Sequence, residues 1–283
     1  MKQFVETNGI RLAFLDHPGP GEPLLLMHGL TVNGHFFDGV IAAGLSQKRR
    51  VIAADFRGRG ESDKPDSGYT IADHAQDILG LMDALGLEQA ALVGHSFGGW
   101  VTLYLGAHYP ERVNKLVIVD CAAVLASQET IEAIKPSLDR LGQTIPSMEA
   151  YIAAMKQVPY YHGGFWDKHL EGFYRSDVET LDDGSVRARS KPEAIRQAMD
   201  DILATEWQTL FGQIKQPSIL INAPESFGPP DAPPILTREG AMETVEAIQN
   251  CRYVAVPGNH ITMFFGENAP HTIKAIIDFV EPA

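Results

Sequence analysis

Cysteine is nearly absent from this 283-residue chain, which has only Cys121 and Cys251, far apart. Two such thiols make no disulfide framework, and no Cys/His spacing suits a zinc site, so two buried free thiols are expected. Positive charge is in deficit too, 23 Lys and Arg against 36 Asp and Glu, for a formal net charge of −13. Nucleic acid and anionic membrane both select a basic surface, so neither is an expected partner, and the negative surplus serves solubility. No apolar run is long enough to span a bilayer. The opening residues Met1 to Gly9 lack the apolar core of a secretory signal. Internal repeats and low-complexity segments are also missing. These absences lead to a cytoplasmic protein in a reducing compartment that acts on a small molecule.

What is present is an ordinary globular composition, 45% hydrophobic and 21% charged. The length suits one large domain or a domain with an insertion. Phe4-Val5 and Ile10 to Phe14 flank Asn8-Gly9, a hairpin dipeptide. Leu24 to Met27, Val51 to Ala54, Ala91 to Val93 and Leu116 to Val119 are continuous apolar runs, as in strands covered on both faces. Thr70-Ile71-Ala72-Asp73 reads as a capping box opening an amphipathic helix through Leu85. Strands separated by helices imply a mostly parallel sheet with helices on both faces. After Asp120 the rhythm changes, and strand character returns only at Ser218 to Ile221 and Tyr253 to Val256. An insertion of about 90 residues, read as helical and without a buried strand, is long enough for a small lid. The expected division is a core at 1–122 and 213–283 with a helical lid at 123–212. Pro224 to Pro234 reads as an irregular loop, and Ile273 to Val280 as a closing helix.

The most informative stretch is Gly94-His95-Ser96-Phe97-Gly98-Gly99, set between an apolar strand and a helical run. Its G-x-S-x-G spacing lets the backbone turn sharply and lifts the Ser96 hydroxyl above the sheet edge, over a helix N-terminus. The bland alternative is a glycine-rich turn whose serine caps the helix. A nucleophilic serine needs a base. His260, in a Pro-Gly-Asn-His loop after the last strand, suits that work because an imidazole exchanges protons near neutral pH.

Four motifs occur in order, each at a strand end: His28-Gly29, Asp55 to Asp63, the turn at Ser96, and Gly258-Asn259-His260. With them the chain resembles the α/β-hydrolase family over almost its whole length, specifically a lid-bearing serine esterase-like branch. The resemblance implies an α/β-hydrolase fold with the lid inserted after strand 6. It assigns Ser96 as nucleophile, His260 as base, and the backbone N–H groups of Leu30 and Phe97 as oxyanion hole, with the Thr31 hydroxyl a weaker candidate. His28 and His95 read as structural. The triad acid departs from the common pattern, because Ser226 stands where the family's usual Asp after the seventh strand is expected. Asp120, ending the sixth strand, is the first candidate acid, Glu225 the alternative and Asp231 a distant third. Asp55, Arg57 and Ser62 read as braces of a sharp turn; the order of a phosphate-binding loop is missing there.

The expected activity is cleavage of a carboxylic ester through an acyl-enzyme, without metal or organic cofactor. Amide, lactone or carbon–carbon cleavage beside a ketone uses the same groups, and a non-catalytic ligand receptor on this fold stays open. Aromatics of the insertion, from Tyr160 and Tyr161 to Trp207 and Phe211, either line a pocket or hold the lid together. Arg175, Arg187 and Arg189 are surface arginines by default, with a grip on a substrate carboxylate as the alternative.

Overall fold

A computed structural model of the chain describes residues 2–121 and 128–281. In chain order the strands are β1 (Lys2–Thr7), β2 (Ile10–His17), β3 (Leu24–Met27), β4 (Val51–Ala54), β5 (Ala90–His95) and β6 (Val113–Val119). They continue with β7 (Thr144–Ile145), β8 (Val178–Thr180), β9 (Val186–Ala188), β10 (Ser218–Asn222) and β11 (Cys251–Ala255). Eight of them form one sheet in the order β1-β2-β4-β3-β5-β6-β10-β11. Within this sheet, among the described residues, only the β1–β2 and β2–β4 pairs are antiparallel. At the β1–β2 turn Asn8 and Gly9 both take positive φ, 45° and 74°, as a tight hairpin between twisted strands demands.

The continuous apolar runs are explained by burial on both faces. Leu24, Leu26, Val93, Val117 and Ile221 pack into one cluster with the helix Ala269–Val280. Their neighbours Leu25, Met27, Leu92, Leu116, Ile118 and Leu220 pack into the opposite cluster, under the helices Ile71–Ala84 and Phe97–His108. Successive residues of one strand thus feed two cores, as the period of two requires. Thr70 caps the helix Ile71–Ala84 through the expected box with Asp73. The parallel strands β3, β4, β5, β6 and β10 all end on one sheet edge, where the chemistry-bearing residues collect.

The segment between β6 and β10 departs from the helical reading. Beside its helices it holds a three-stranded antiparallel sheet, β7-β9-β8, with strands of two or three residues. Such strands are too short to show a period. The helices Pro192–Ala204 and Trp207–Phe211, assigned from sequence to the lid, pack on the core instead. Asp201 accepts a hydrogen bond from Ile71 N–H at 2.8 Å, and Trp207 lies 4.3 Å from Trp100, ring centre to ring centre. The expected boundary between 122 and 123 lies outside the described residues. Cys121 is buried, but Cys251, at the start of the edge strand β11, is only partly so. No helix among the described residues is long and apolar enough to cross a membrane.

Candidate active site

The turn from β5 into the helix Phe97–His108 allows no side chain at its glycines. A Cβ on Gly94 would collide with the Gly98 carbonyl and the Thr102 hydroxyl, and one on Gly98 would strike the Met27 carbonyl. Ser96, between them, has φ 52° and ψ −115°. That conformation costs a non-glycine residue about 1–3 kcal/mol and persists only where the surroundings enforce it. Here Ser96 N–H is tied to the Val119 carbonyl of β6 at 2.9 Å and Gly98 N–H to the His28 carbonyl at 3.0 Å. This strained residue stands directly at the carboxyl end of β5.

Beside it, the structure brings Asp120 and His260 into contact, the His260 Nδ1–H donating to Asp120 Oδ2 at 2.6 Å. Asp120 is itself held, with φ 48°, its N–H on the Ile221 carbonyl at 2.8 Å, and Oδ1 accepting from Asn222 Nδ2 at 2.9 Å and Ala223 N–H at 3.0 Å. Glu225 does not reach His260. Its Oε1 accepts from Gly258 N–H at 2.7 Å, so it braces the loop that carries the histidine. In that loop Asn259 Oδ1 accepts from the N–H groups of Ile261 and Thr262, and Asn259 Nδ2 donates to the Tyr160 carbonyl at 2.8 Å. Among the described residues the Ser96 hydroxyl has no hydrogen bond to His260; such contacts commonly close only around a bound substrate. Asp231 makes no bond to His260 either.

His28 is fully buried and pushed down to about 3 by that burial. Its Nε2 accepts from Phe56 N–H at 3.0 Å, which places the proton on Nδ1, donated to the Gly29 carbonyl at 2.7 Å. This neutral imidazole ties the loop to Phe56 and Gly29. His95 is likewise buried and held well below its ordinary value by desolvation. Its Nε2–H donates to the His260 carbonyl at 2.8 Å, joining the serine turn to the histidine loop. Gly29 abuts this turn, since a Cβ there would lie 3.6 Å from Ser96 Cβ. Among the described residues the N–H groups of Leu30 and Phe97 have no hydrogen-bond partner. Two donors therefore stand open next to Ser96.

Around Thr31 the insertion grips this loop. Arg140 Nη2 donates to the Thr31 carbonyl at 2.9 Å, and Ser190 Oγ donates to the same oxygen at 3.0 Å. Arg140 is fully buried against Asp177 at 2.9 Å, and Asp177 Oδ2 also accepts from the Tyr151 hydroxyl at 2.7 Å. Sequence reasoning missed Arg140, Asp177 and Ser190, because nothing local marks an arginine as buried. Arg175 and Arg187, by contrast, sit at the surface on Glu171 and Glu179. Of the aromatics, Tyr161 and Tyr174 share a hydroxyl–hydroxyl bond of 2.6 Å, and Tyr160 stacks on Phe227, whose ring edge meets His260. Asp55, Arg57 and Ser62 do brace their turn: Asp55 accepts from Gly34 and Glu61 N–H, Arg57 pairs with Asp77, and Ser62 Oγ donates to the Asp55 carbonyl.

A strained serine after a strand, a histidine–aspartate pair beside it and two unpaired backbone N–H groups thus gather at one end of the sheet. Residues 22–267 match the family model described as the alpha/beta hydrolase fold, and the chain belongs to that family. A 2-(acetamidomethylene)succinate hydrolase of Mesorhizobium japonicum is 28% identical over 267 residues, 93% of this chain and 89% of that one. A 2-hydroxymuconate semialdehyde hydrolase of Pseudomonas putida is 40% identical over 132 residues, 44% of this chain and 46% of the relative. Among solved structures, that of an E-2-(acetamidomethylene)succinate hydrolase superposes with a TM-score of 0.84 at 25% identity, covering 100% of this chain and 99% of the other.

Proposed function

We propose that this chain is a serine hydrolase that cleaves an acyl bond of a small carboxylate-bearing molecule, an amide or a carbon–carbon bond beside a carbonyl in preference to a simple ester. The observation that carries the hydrolase reading is the 2.6 Å contact between His260 Nδ1 and Asp120 Oδ2 next to the strained Ser96. The preference for a non-ester bond is supported by the relatives' names, an acetamido-succinate and a muconate semialdehyde hydrolase, and revises the ester expectation.

In this reading Ser96 Oγ attacks the substrate carbonyl carbon while its proton passes to His260 Nε2. Asp120 holds the imidazole with Nδ1 protonated and offsets the positive charge it acquires. The oxyanion is met by the N–H groups of Leu30 and Phe97, donors already in place before charge develops. His260 returns the proton to the departing nitrogen or carbon, and the acyl group stays on Ser96. Water then adds to the acyl-enzyme, giving its proton to His260, and Ser96 leaves as the hydroxyl. A fluorophosphonate probe is expected to label Ser96 alone, with labelling lost in Ser96→Ala; undiminished labelling in that variant rejects the nucleophile. Turnover of an N-acetyl enamine dicarboxylate is expected to exceed that of p-nitrophenyl acetate in kcat/KM. The opposite order returns the assignment to an esterase.

A further inference from the structure

The two residues whose N–H groups stand open share a buried cation that the proposed reaction does not use. Arg59 is completely buried, and its Nε–H donates to the Leu30 carbonyl at 3.0 Å. The guanidinium also stands 5.0 Å from the centre of the Phe97 ring. It therefore touches both residues whose N–H groups stand open beside Ser96. Its Nη1 donates to the Arg57 carbonyl at 2.9 Å and faces His74 Nε2 at 3.0 Å, while Nη2 has no hydrogen-bond partner among the described residues.

Among the described residues no carboxylate pairs with Arg59. The two buried acids nearest in sequence are committed elsewhere: Asp55 to the backbone of Gly34 and Glu61, Asp77 to Arg57 through two bonds of 2.6 Å. The surrounding imidazoles cannot supply a negative charge. His28 and His74 are both held neutral by burial, and Arg59 itself, pulled down to about 9, remains charged at neutral pH. A buried charge without a counter-ion is strongly disfavoured, and a fold retains one where it has use for it.

We propose that Arg59 is a positioning residue that supplies a fixed positive charge behind the oxyanion hole. It steadies the Leu30 loop through the Leu30 carbonyl and favours the anion that forms on the far side of Leu30 and Phe97. In a dry interior such a charge acts over the length of a residue with little screening. This inference rests on the serine-hydrolase reading above.

The test compares wild type with Arg59→Gln, neutral but still hydrogen-bonding, and Arg59→Lys, charged but without the planar fork. Three quantities are read: kcat and KM on p-nitrophenyl acetate, affinity for phenylboronic acid, and melting temperature. Phenylboronic acid binds a nucleophilic serine as a tetrahedral anion. In Arg59→Gln, kcat and boronate affinity are expected to fall together by about tenfold or more, with KM and melting temperature nearly unchanged. Arg59→Lys should fall between the two. A kcat within twofold of wild type in Arg59→Gln overturns the proposal. So does a loss shared equally with KM and melting temperature, which marks a brace. If Arg59→Gln does not fold, Arg59→Met is set against Arg59→Lys: kcat and boronate affinity kept better by Arg59→Lys than by Arg59→Met, at similar melting temperatures, supports the proposal, and equal losses in the two overturn it. A wild type that neither turns over ester nor binds boronate overturns the hydrolase reading together with this one.

Discussion

Two carboxylates at neighbouring strand ends, Asp120 and Glu225, competed for one role, and local sequence could not separate them. The difference is made by groups far away in the chain. Asn222 and Ala223, at the end of β10, donate to Asp120 Oδ1 and turn Oδ2 toward His260, whereas Glu225 is drawn to Gly258 N–H. Ser96 and His260 were legible because their flanking glycines and strand ends are written next to them. Arg59 and Arg140 were not, since a buried arginine and a surface one read alike. If Asp120 orients the base, Asp120→Asn should lower kcat by about four orders of magnitude. Glu225→Gln keeps an oxygen for Gly258 N–H and should lose less than about tenfold, an effect routed through loop position. Steady-state kinetics of the two variants checks this, and equal losses would reassign the acid. Asn222→Ala, which removes one donor and leaves the Asp120 carboxyl group in place, should fall between them.

At the level of elements, the capped helix Ile71–Ala84 and the Asn8-Gly9 hairpin were readable because their signals lie within four residues. The short sheet of the insertion was not read, although Asp183-Gly184 between β8 and β9 is itself a hairpin dipeptide. Three-residue strands carry no period to confirm such a turn. This segment reaches the site through hydrogen bonds to the Thr31 carbonyl from Arg140 and Ser190, and Arg140 is in turn paired with Asp177 inside the insertion. Removing one member of a fully buried pair leaves the other uncompensated, and the usual cost is about 3–5 kcal/mol. Asp177→Asn should therefore lower the urea-unfolding free energy by about that amount. Arg140→Met combined with Asp177→Leu should recover most of the loss, because no unpaired charge remains. A double variant no more stable than Asp177→Asn would show that the Thr31 and Tyr151 hydrogen bonds, and not the ion pair, hold the segment.

On the scale of the whole molecule, the sheet and its order of motifs followed from apolar runs separated by helices, because burial on both faces leaves no room for polar alternation. Composition hid something else: ten histidines in a neutral-looking count. Three of them, His28, His74 and His95, are completely buried and held well below the ordinary value, chiefly by desolvation, with His28 at about 3. Each donates one ring N–H to a backbone carbonyl, of Gly29, Thr70 and His260 respectively, so the neutral form is the one the fold accepts. The unfolded chain protonates all three near pH 6.5. As the pH drops below that value the unfolded state takes up protons that the native state refuses, so stability is full above about 6.5 and falls with acid. For His28 the decline continues down to about 3, where the native imidazole also protonates. Between about pH 7.5 and 5.5 each group should cost about 1.4 kcal/mol, and the three together about 4 kcal/mol. Urea midpoints at the two pH values measure the difference. Calorimetry in buffers of unequal ionisation enthalpy should find about three protons taken up on unfolding near pH 5. Midpoints that stay level across this range would mean that the buried imidazoles accept protons in place, and that the neutral networks around Gly29 and His260 are not what holds the site's loops.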